Sequence, residues 1–106
     1  MVKRGDIWRV RLDPAADSKI RKPHPCVVVS PPEMLGHLDT VLVAPMTSKG
    51  LAAPFRVPVT HAGVRGLILL DQLRTVDKAC LTHRLGSVSA KTLAATLDTL
   101  QEIFAE

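Results

Sequence analysis

Short runs of apolar or alternating residues, most of them bounded by glycine or proline turns, recur along the chain before residue 72. Residues 6–12 alternate, which groups Ile7 with Arg9 and Arg11 and predicts a strand with one charged face. Four further predicted strands are residues 26–30, 40–45, 55–59 and 66–70. Residues 72–88 carry a weaker pattern that fits either strand pieces or loop. The pattern therefore predicts at least five short strands.

The spacing of apolar residues changes after Ser89, which is a favourable N-cap residue. Apolar positions then follow at spacings of four, three and four: Leu93, Leu97, Leu100 and Phe104. This spacing predicts one amphipathic helix over residues 90–104, with Phe104 in the core. Short strands followed by a single helix predict a mainly β fold, a small β-barrel or strongly bent sheet with a C-terminal α-helix.

The bulk composition fits one domain over residues 1–106, with 46% apolar residues and enough length for a core without cross-links. Cys26 and Cys80 lack CxxC spacing, and the sequence shows no signal-like start or long apolar span. We therefore expect a cytoplasmic protein with reduced thiols, no membrane association, and Cys26 packed as a small hydrophobe. The four histidines show no metal-ligand spacing, so we expect no metal and no other cofactor.

Positive charge is concentrated at the start of the chain. Residues 1–24 hold seven Lys/Arg against three Asp, whereas residues 25–106 hold seven basic and seven acidic side chains. Such a local excess favours phosphates or an acidic protein segment as a partner. A solvated basic face is the alternative reading. Arg21 and Lys22 are candidate phosphate clamps within this stretch.

His24 is held between Pro23 and Pro25, which places its imidazole on stiff, extended backbone beside cationic side chains. Histidine is suited to proton transfer near neutral pH because its ordinary pKa is ~6.5. Thr47 and Ser48 follow a predicted core strand, where their hydroxyl groups could hold a phosphate or only cap a turn. His61 and His83 have no predicted role beyond surface turns.

Several motifs occur in a fixed order along almost the whole chain: GDIW at 5–8, DP at 13–14, PCVVVS at 25–30, APMTS at 44–48, LDQLRTVDK at 70–78 and LG at 85–86. This ordered set resembles the MazF/PemK toxins of bacterial toxin–antitoxin pairs. The resemblance implies an SH3-like barrel with a C-terminal helix, usually as a homodimer. It also implies metal-independent, sequence-selective cleavage of single-stranded RNA that leaves a cyclic phosphate and a 5′-hydroxyl.

The same resemblance implies a cognate antitoxin whose disordered tail occupies the RNA cleft, with operator DNA bound only through that antitoxin. It places His24 where the family normally has a catalytic arginine. It also aligns Thr47 with the threonine of the family's P-x-T-[TS] motif. A second branch of the family has a catalytic arginine at the position of Leu69. We therefore predict His24 and Thr47 as catalytic residues, with cleavage by 2′-hydroxyl attack.

The predicted substrate-binding residues are Arg21, Lys22, Ser48, Asp71, Gln72 and Arg74. Asp71 could position the base or contact an RNA base edge, and its alternative is a charge pair with Arg74 or Lys78. Arg74 could equally brace the barrel. Trp8 is expected in the core or a dimer interface.

Two other functions remain open from the sequence. One is a toxin of the same fold that poisons a topoisomerase by protein contact, which would rely on C-terminal aromatic or apolar residues. The other is a degenerate toxin that acts only in antitoxin–operator complexes, an option kept open by the missing arginine. The expected burial of Phe104 favours RNA cleavage over the first of these.

Overall fold

The computed structural model describes residues 1–11 and 23–106. This part of the chain contains seven strands: β1 (Asp6–Val10), β2 (His24–Val28), β3 (Thr40–Thr47), β4 (Arg56–His61), β5 (Val64–Leu69), β6 (Arg74–Asp77) and β7 (Leu81–Ser87). A short helix α1 (Pro32–Leu35) and a longer helix α2 (Ala90–Ile103) complete it, with 3₁₀ turns at Leu70–Gln72 and Lys78–Cys80. The predicted strands are all present, and the ambiguous segment forms β6 and β7.

Every strand pairing is antiparallel, and the order across the sheet is β4-β5-β3-β2-β1-β7, with β6 added to β3. The long strand β3 lies at the centre of this arrangement. Its first half pairs with β6 and its last two residues, Met46 and Thr47, pair with β5. Because one strand serves two partners on the same edge, the sheet curls into a half-barrel. The predicted mainly β fold with a C-terminal helix is confirmed.

Two packed clusters of apolar side chains lie on the two faces of this sheet. One is centred on Ile7, Val27 and Ile68, and the other on Val10, Val28 and Val43. Strand β2 contributes to both, which explains why residues 26–29 are apolar without alternation. Cys26 is fully buried, and that burial raises the pKa of its thiol to about 12. It packs as the predicted small hydrophobe.

Strand β1 keeps the predicted alternation. Ile7 packs in the first cluster, whereas Val10 belongs to the second, and Arg9 and Arg11 are exposed. The ladder between β1 and β7 shifts register after Ile7 and again after Arg9, but the extra residues lie in β7, because β1 pairs with β2 without interruption. The predicted grouping of Ile7 with Arg9 and Arg11 agrees with this placement. Trp8 is half-buried against the core, and its indole N–H donates to Asp6.

Helix α2 begins as predicted, with the Ser89 hydroxyl accepting a hydrogen bond from the Thr92 N–H at 3.1 Å. Leu100 packs on the first cluster of the core, and Thr96 is fully buried. Phe104, however, is 73% exposed, so its predicted burial is wrong. The helix ends at Ile103, and Phe104 adopts a non-helical conformation (φ −98°, ψ 3°) that takes its side chain off the apolar seam.

Candidate active site

A cavity of about 420 Å³ opens where β2, β3, β4 and β5 bring their ends together. Its volume suits a ligand of one or two nucleotide units. Its polar and charged lining residues come from four separate segments of the chain: His24, Thr47, Ser48, Lys49, His61 and Arg65. Three predicted site residues, His24, Thr47 and Ser48, therefore lie in the same cavity. Their roles stay predictions.

His24 begins β2, opposite Val10 of β1, and its side chain is half-buried. Its ring Nε2 lies 2.6 Å from the carbonyl oxygen of Met46. A carbonyl can only accept a hydrogen bond, so Nε2 carries a proton and donates. This bond fixes the ring against β3 and leaves Nδ1 as the nitrogen available for proton exchange.

Thr47 ends β3, two residues after the point where the sequence predicted the strand to stop. Its Oγ1 accepts a hydrogen bond from the Lys49 N–H at 3.1 Å, which is the turn-capping arrangement expected of a threonine. The hydroxyl hydrogen remains free to donate to a ligand. Ser48 follows it and is exposed at the cavity rim.

Gly66 is needed to place Thr47. A Cβ atom at Gly66 would lie 2.4 Å from the Thr47 carbonyl oxygen, closer than real Cβ contacts come. Strand β5 therefore passes directly against the end of β3 at a point where only glycine fits. The absence of a side chain on β5 thus sets the position of the hydroxyl in the cavity.

Two cations in the cavity, Lys49 and Arg65, were not predicted as site residues. Lys49 follows the Thr47 turn, and Arg65 follows the hairpin turn between β4 and β5. No Asp or Glu is found among the described residues that line the cavity, so its charge is positive and favours an anion. Arg21 and Lys22 lie outside the described residues, and their roles as phosphate clamps stay predictions.

His61 also lines the cavity, although the sequence suggested only a surface turn. The turn itself is present, with positive φ at Ala62 (52°) and Gly63 (77°), as a tight hairpin requires. The His61 ring is half-buried and rests on β7, where a Cβ at Gly86 would lie 3.2 Å from its Cε1. Its turn position predicted exposure, and only the curl of the sheet places it in the cavity.

The structure places Asp71, Gln72 and Arg74 away from the described lining of the cavity. Asp71 pairs with Arg56, and not with Arg74 or Lys78 as the alternative reading supposed. The hydrogen bond from Arg56 lowers the pKa of the Asp71 carboxyl. Arg74 instead lines a separate groove with Arg11. The substrate contacts predicted for these three residues stay predictions.

Within residues 1–11 and 23–106, no group of three or more His, Cys, Asp or Glu side chains is placed to hold a metal ion. None of the helices found in these segments has the length and apolar character needed to span a membrane.

The described residues thus form a curled half-barrel with a positively charged cleft at its strand ends and one C-terminal helix. A family model described as "PemK-like, MazF-like toxin of type II toxin-antitoxin system" matches residues 3–104. The chain belongs to this family, which confirms the resemblance read from the ordered motifs.

Two characterised relatives are similar in sequence. Endoribonuclease PemK of Escherichia coli is 35% identical over 81 residues, which cover 72% of this chain and 61% of that protein, so the match spans less than two thirds of PemK. Endoribonuclease MazF9 of Mycobacterium tuberculosis is 35% identical over 106 residues, which cover 89% of this chain and 88% of MazF9.

Solved structures support the fold. A mycobacterial endoribonuclease in complex with its cognate antitoxin superposes with a TM-score of 0.80 at 21% identity, covering 96% of this chain and 93% of that chain. MazF from Deinococcus radiodurans superposes with a TM-score of 0.79 at 26% identity, with coverages of 96% and 94%.

Proposed function

We propose that this chain is the toxin of a type II toxin–antitoxin pair and that it cleaves single-stranded RNA, sequence-selectively and without a metal ion, in the cavity that holds His24. The observation that carries the proposal is the convergence of His24 and Thr47 on one positively charged cavity. The relatives named endoribonucleases support the same activity.

The reaction is attack of a ribose 2′-hydroxyl on the adjacent phosphorus, which yields a cyclic phosphate and a 5′-hydroxyl. It requires a base for the 2′-hydroxyl proton, an acid for the leaving oxygen, and positive charge near the developing phosphorane. His24 Nδ1 is the base, because Nε2 is bonded to the Met46 carbonyl. A positioned base of this kind contributes roughly 10²–10⁴-fold to a rate.

The phosphate is held by the other polar groups of the cavity. Thr47 Oγ1 accepts one hydrogen bond from the Lys49 N–H, and its hydroxyl hydrogen donates to a non-bridging phosphate oxygen, which can only accept. Lys49 and Arg65 supply the positive charge that a metal ion would otherwise bring. Because two cationic side chains are available, the proposed cleavage needs no added divalent ion.

The proposal includes the partners of such a toxin. A positively charged cavity suits an antitoxin with an acidic or apolar disordered tail, which would block RNA by occupying the same space. The mycobacterial relative was solved with its cognate antitoxin. We further propose a homodimer, contact with operator DNA only through the antitoxin, and a cytoplasmic location.

One observation favours a second candidate function. Phe104 is 73% exposed and Ile103 is 40% exposed, which leaves an apolar end on α2. A toxin that poisons a topoisomerase by protein contact would use such residues, and the sequence-based argument against it depended on burial of Phe104. RNA cleavage remains the better-supported function because the cavity holds a base, a hydroxyl and two cations together.

The test is incubation of the purified chain with a long defined RNA in EDTA, followed by mapping of the cuts and analysis of the end groups. We expect a few discrete cuts with cyclic phosphate and 5′-hydroxyl ends. The His24→Ala variant should not cut, and His37→Ala, which changes an exposed histidine outside the cavity, should cut normally. Absence of cleavage by the unmodified chain, or cleavage only with added divalent metal, would overturn the proposal.

A further inference from the structure

The geometry points to His61 as the proton donor to the leaving 5′-oxygen, acting opposite His24 in the same cavity. This inference rests on the RNA-cleaving function proposed above and goes beyond it by completing the pair of proton-transfer groups. Neither the sequence pattern nor the motif order indicated a role for His61, since it occupies a hairpin turn.

His24 alone is insufficient for both proton transfers. Its Nε2 is committed to the Met46 carbonyl at 2.6 Å, so a single nitrogen, Nδ1, exchanges protons with the substrate. The attacking and leaving oxygens lie on roughly opposite sides of phosphorus in an in-line displacement. A base within hydrogen-bond reach of the 2′-oxygen is therefore out of reach of the 5′-oxygen. A second group must approach from another wall of the cavity.

His61 is the described lining residue whose chemistry fits that second role. Ammonium and guanidinium groups hold their protons well above neutral pH. Lys49 and Arg65 are therefore suited to binding a negatively charged phosphate and not to releasing a proton. The hydroxyl groups of Thr47 and Ser48 are much weaker acids than an imidazolium. An imidazolium can donate a proton near neutral pH.

The fold holds the His61 ring firmly enough for such a task. His61 closes β4 and pairs with Val64 across a two-residue turn, so its backbone belongs to the sheet. Its ring meets β7 at Gly86, whose missing side chain leaves the space that the ring occupies. Gly86 has φ +150°, which also favours glycine there. The terminal strands β4 and β7 thus meet at this ring.

The charged groups that share the cavity with His61 are His24 from β2, Lys49 from the turn after β3, and Arg65 from β5. Strand β7 presents the uncharged Gly86 at the point of contact. In the proposed step, the 2′-oxygen bonds to phosphorus while its proton passes to His24 Nδ1. The bond from phosphorus to the 5′-oxygen breaks, and that oxygen takes the proton of the His61 imidazolium.

The decisive experiment compares two short RNAs that contain one preferred cleavage site. One has the natural 5′-oxygen, and the other has sulfur in its place, a leaving group that departs without protonation. We expect His61→Ala to lower kcat on the natural RNA by roughly 10²–10⁴-fold, with little change in KM. On the sulfur-substituted RNA, the same variant should cleave within a few-fold of the unmodified protein. His24→Ala should be impaired on both.

The pH profile supplies an independent readout. The unmodified protein should lose activity on the natural RNA as the pH rises, because the donor must be protonated, and His61→Ala should lack this alkaline decline. His61→Gln fills the space against Gly86 but cannot supply the proton, so it should show the same loss of activity as His61→Ala and replaces that variant if removal of the ring disturbs folding. Thermal unfolding of both variants checks that the fold is kept.

Two outcomes would overturn the inference: full activity of both variants on the natural RNA, or equal impairment of a folded variant on the two substrates. Failure of the unmodified protein to cleave any RNA would instead overturn the proposed function itself.

Discussion

Arg56 and Asp71 form a two-point ion pair, in which the Nε and Nη2 atoms donate to the two carboxylate oxygens at 3.2 and 3.1 Å. The same guanidinium donates from Nη1 to the Leu51 carbonyl oxygen at 3.0 Å. The first residue of β4, the 3₁₀ turn after β5 and the loop that leaves Thr47 are therefore joined at one arginine. Asp71 lies outside the described lining of the cavity. We therefore expect it to affect the cavity only through the loop that Arg56 holds.

Asp71→Asn should lower stability slightly at neutral pH and not at all in strong acid. The Arg56 hydrogen bond lowers the pKa of Asp71 in the folded chain. The pair therefore stabilises the fold above the ordinary carboxyl value of ~3.9, and this contribution is lost as the pH falls through the lower folded value. Urea midpoints for both proteins between pH 7 and pH 2 measure the effect. Asp98→Asn, on the exposed side of α2, is the control. A difference that persists unchanged at pH 2 would contradict the assignment.

His24→Arg separates two roles for the cavity histidine. A guanidinium restores the positive charge typical of the family but does not accept a proton at neutral pH. We expect a folded variant with little RNA cleavage, because the proposed mechanism uses the lone pair on His24 Nδ1. Single-turnover cleavage rates on a defined RNA measure this. Retained or raised activity would show that His24 contributes charge and not proton transfer.

Gly66→Ala should damage the cavity without touching any polar group in it. The added Cβ would meet the Thr47 carbonyl oxygen at 2.4 Å, so β5 or the end of β3 must move. We expect a loss of roughly 1–3 kcal/mol in the free energy of unfolding, and a marked fall in RNA cleavage.

Gly36→Ala is the matched control for this change. Gly36 has an ordinary φ of −80°, and an added Cβ would find its nearest neighbour at 3.5 Å. Its stability and activity should be close to those of the unmodified chain. If the Gly66→Ala protein matched this control in both measurements, the close approach of β5 to Thr47 would not constrain the site.

Lys49→Ala should weaken RNA binding and reduce its dependence on salt. Each phosphate contact to a single strand contributes ~0.7 to the slope of log affinity against log salt concentration. Removal of one contact should therefore reduce the slope by about that amount, as measured by RNA titrations at several salt concentrations. Lys91→Ala, on α2 outside this cavity, should leave the slope unchanged. Equal slopes for the Lys49 variant and the unmodified chain would show that Lys49 does not contact an RNA phosphate.

Phe104→Ala decides between the two candidate toxin functions. Because Phe104 is 73% exposed, its truncation should leave monomer stability nearly unchanged. Growth arrest in cells should persist if the toxin cleaves RNA, and it should vanish if Phe104 contacts a protein target. Leu100→Ala, which removes a side chain packed on the core, should instead cost on the order of 2 kcal/mol. The readouts are growth after induction and urea unfolding.

The sequence predicted the strands, the helix start and the two central site residues because each has a local signal. The apolar run from Cys26 and the Ser89 cap are readable within a few positions. The cavity positions of Lys49, His61 and Arg65 depend on how the loop after β3 and the β4–β5 hairpin converge, which no local pattern records. The partner of Asp71 was missed for the same reason, since Arg56 lies 15 positions away.

The error at Phe104 has a local cause. At Phe104 the spacing continued the apolar seam, but the helix had already ended one residue earlier. Arg21 and Lys22 fall outside the described residues.

Strand β3 is bonded to β2, β5 and β6, and both the Met46 carbonyl and Thr47 belong to it. Backbone amides in such a multiply paired strand exchange with solvent only through the largest opening motions. The ends of α2 can fray while Thr47 and the His24 ring, which is bonded to the Met46 carbonyl, keep their spacing. A toxin built in this way would keep its cavity intact until the whole domain unfolds. Its activity would therefore be controlled by occupancy of the cleft and not by partial unfolding.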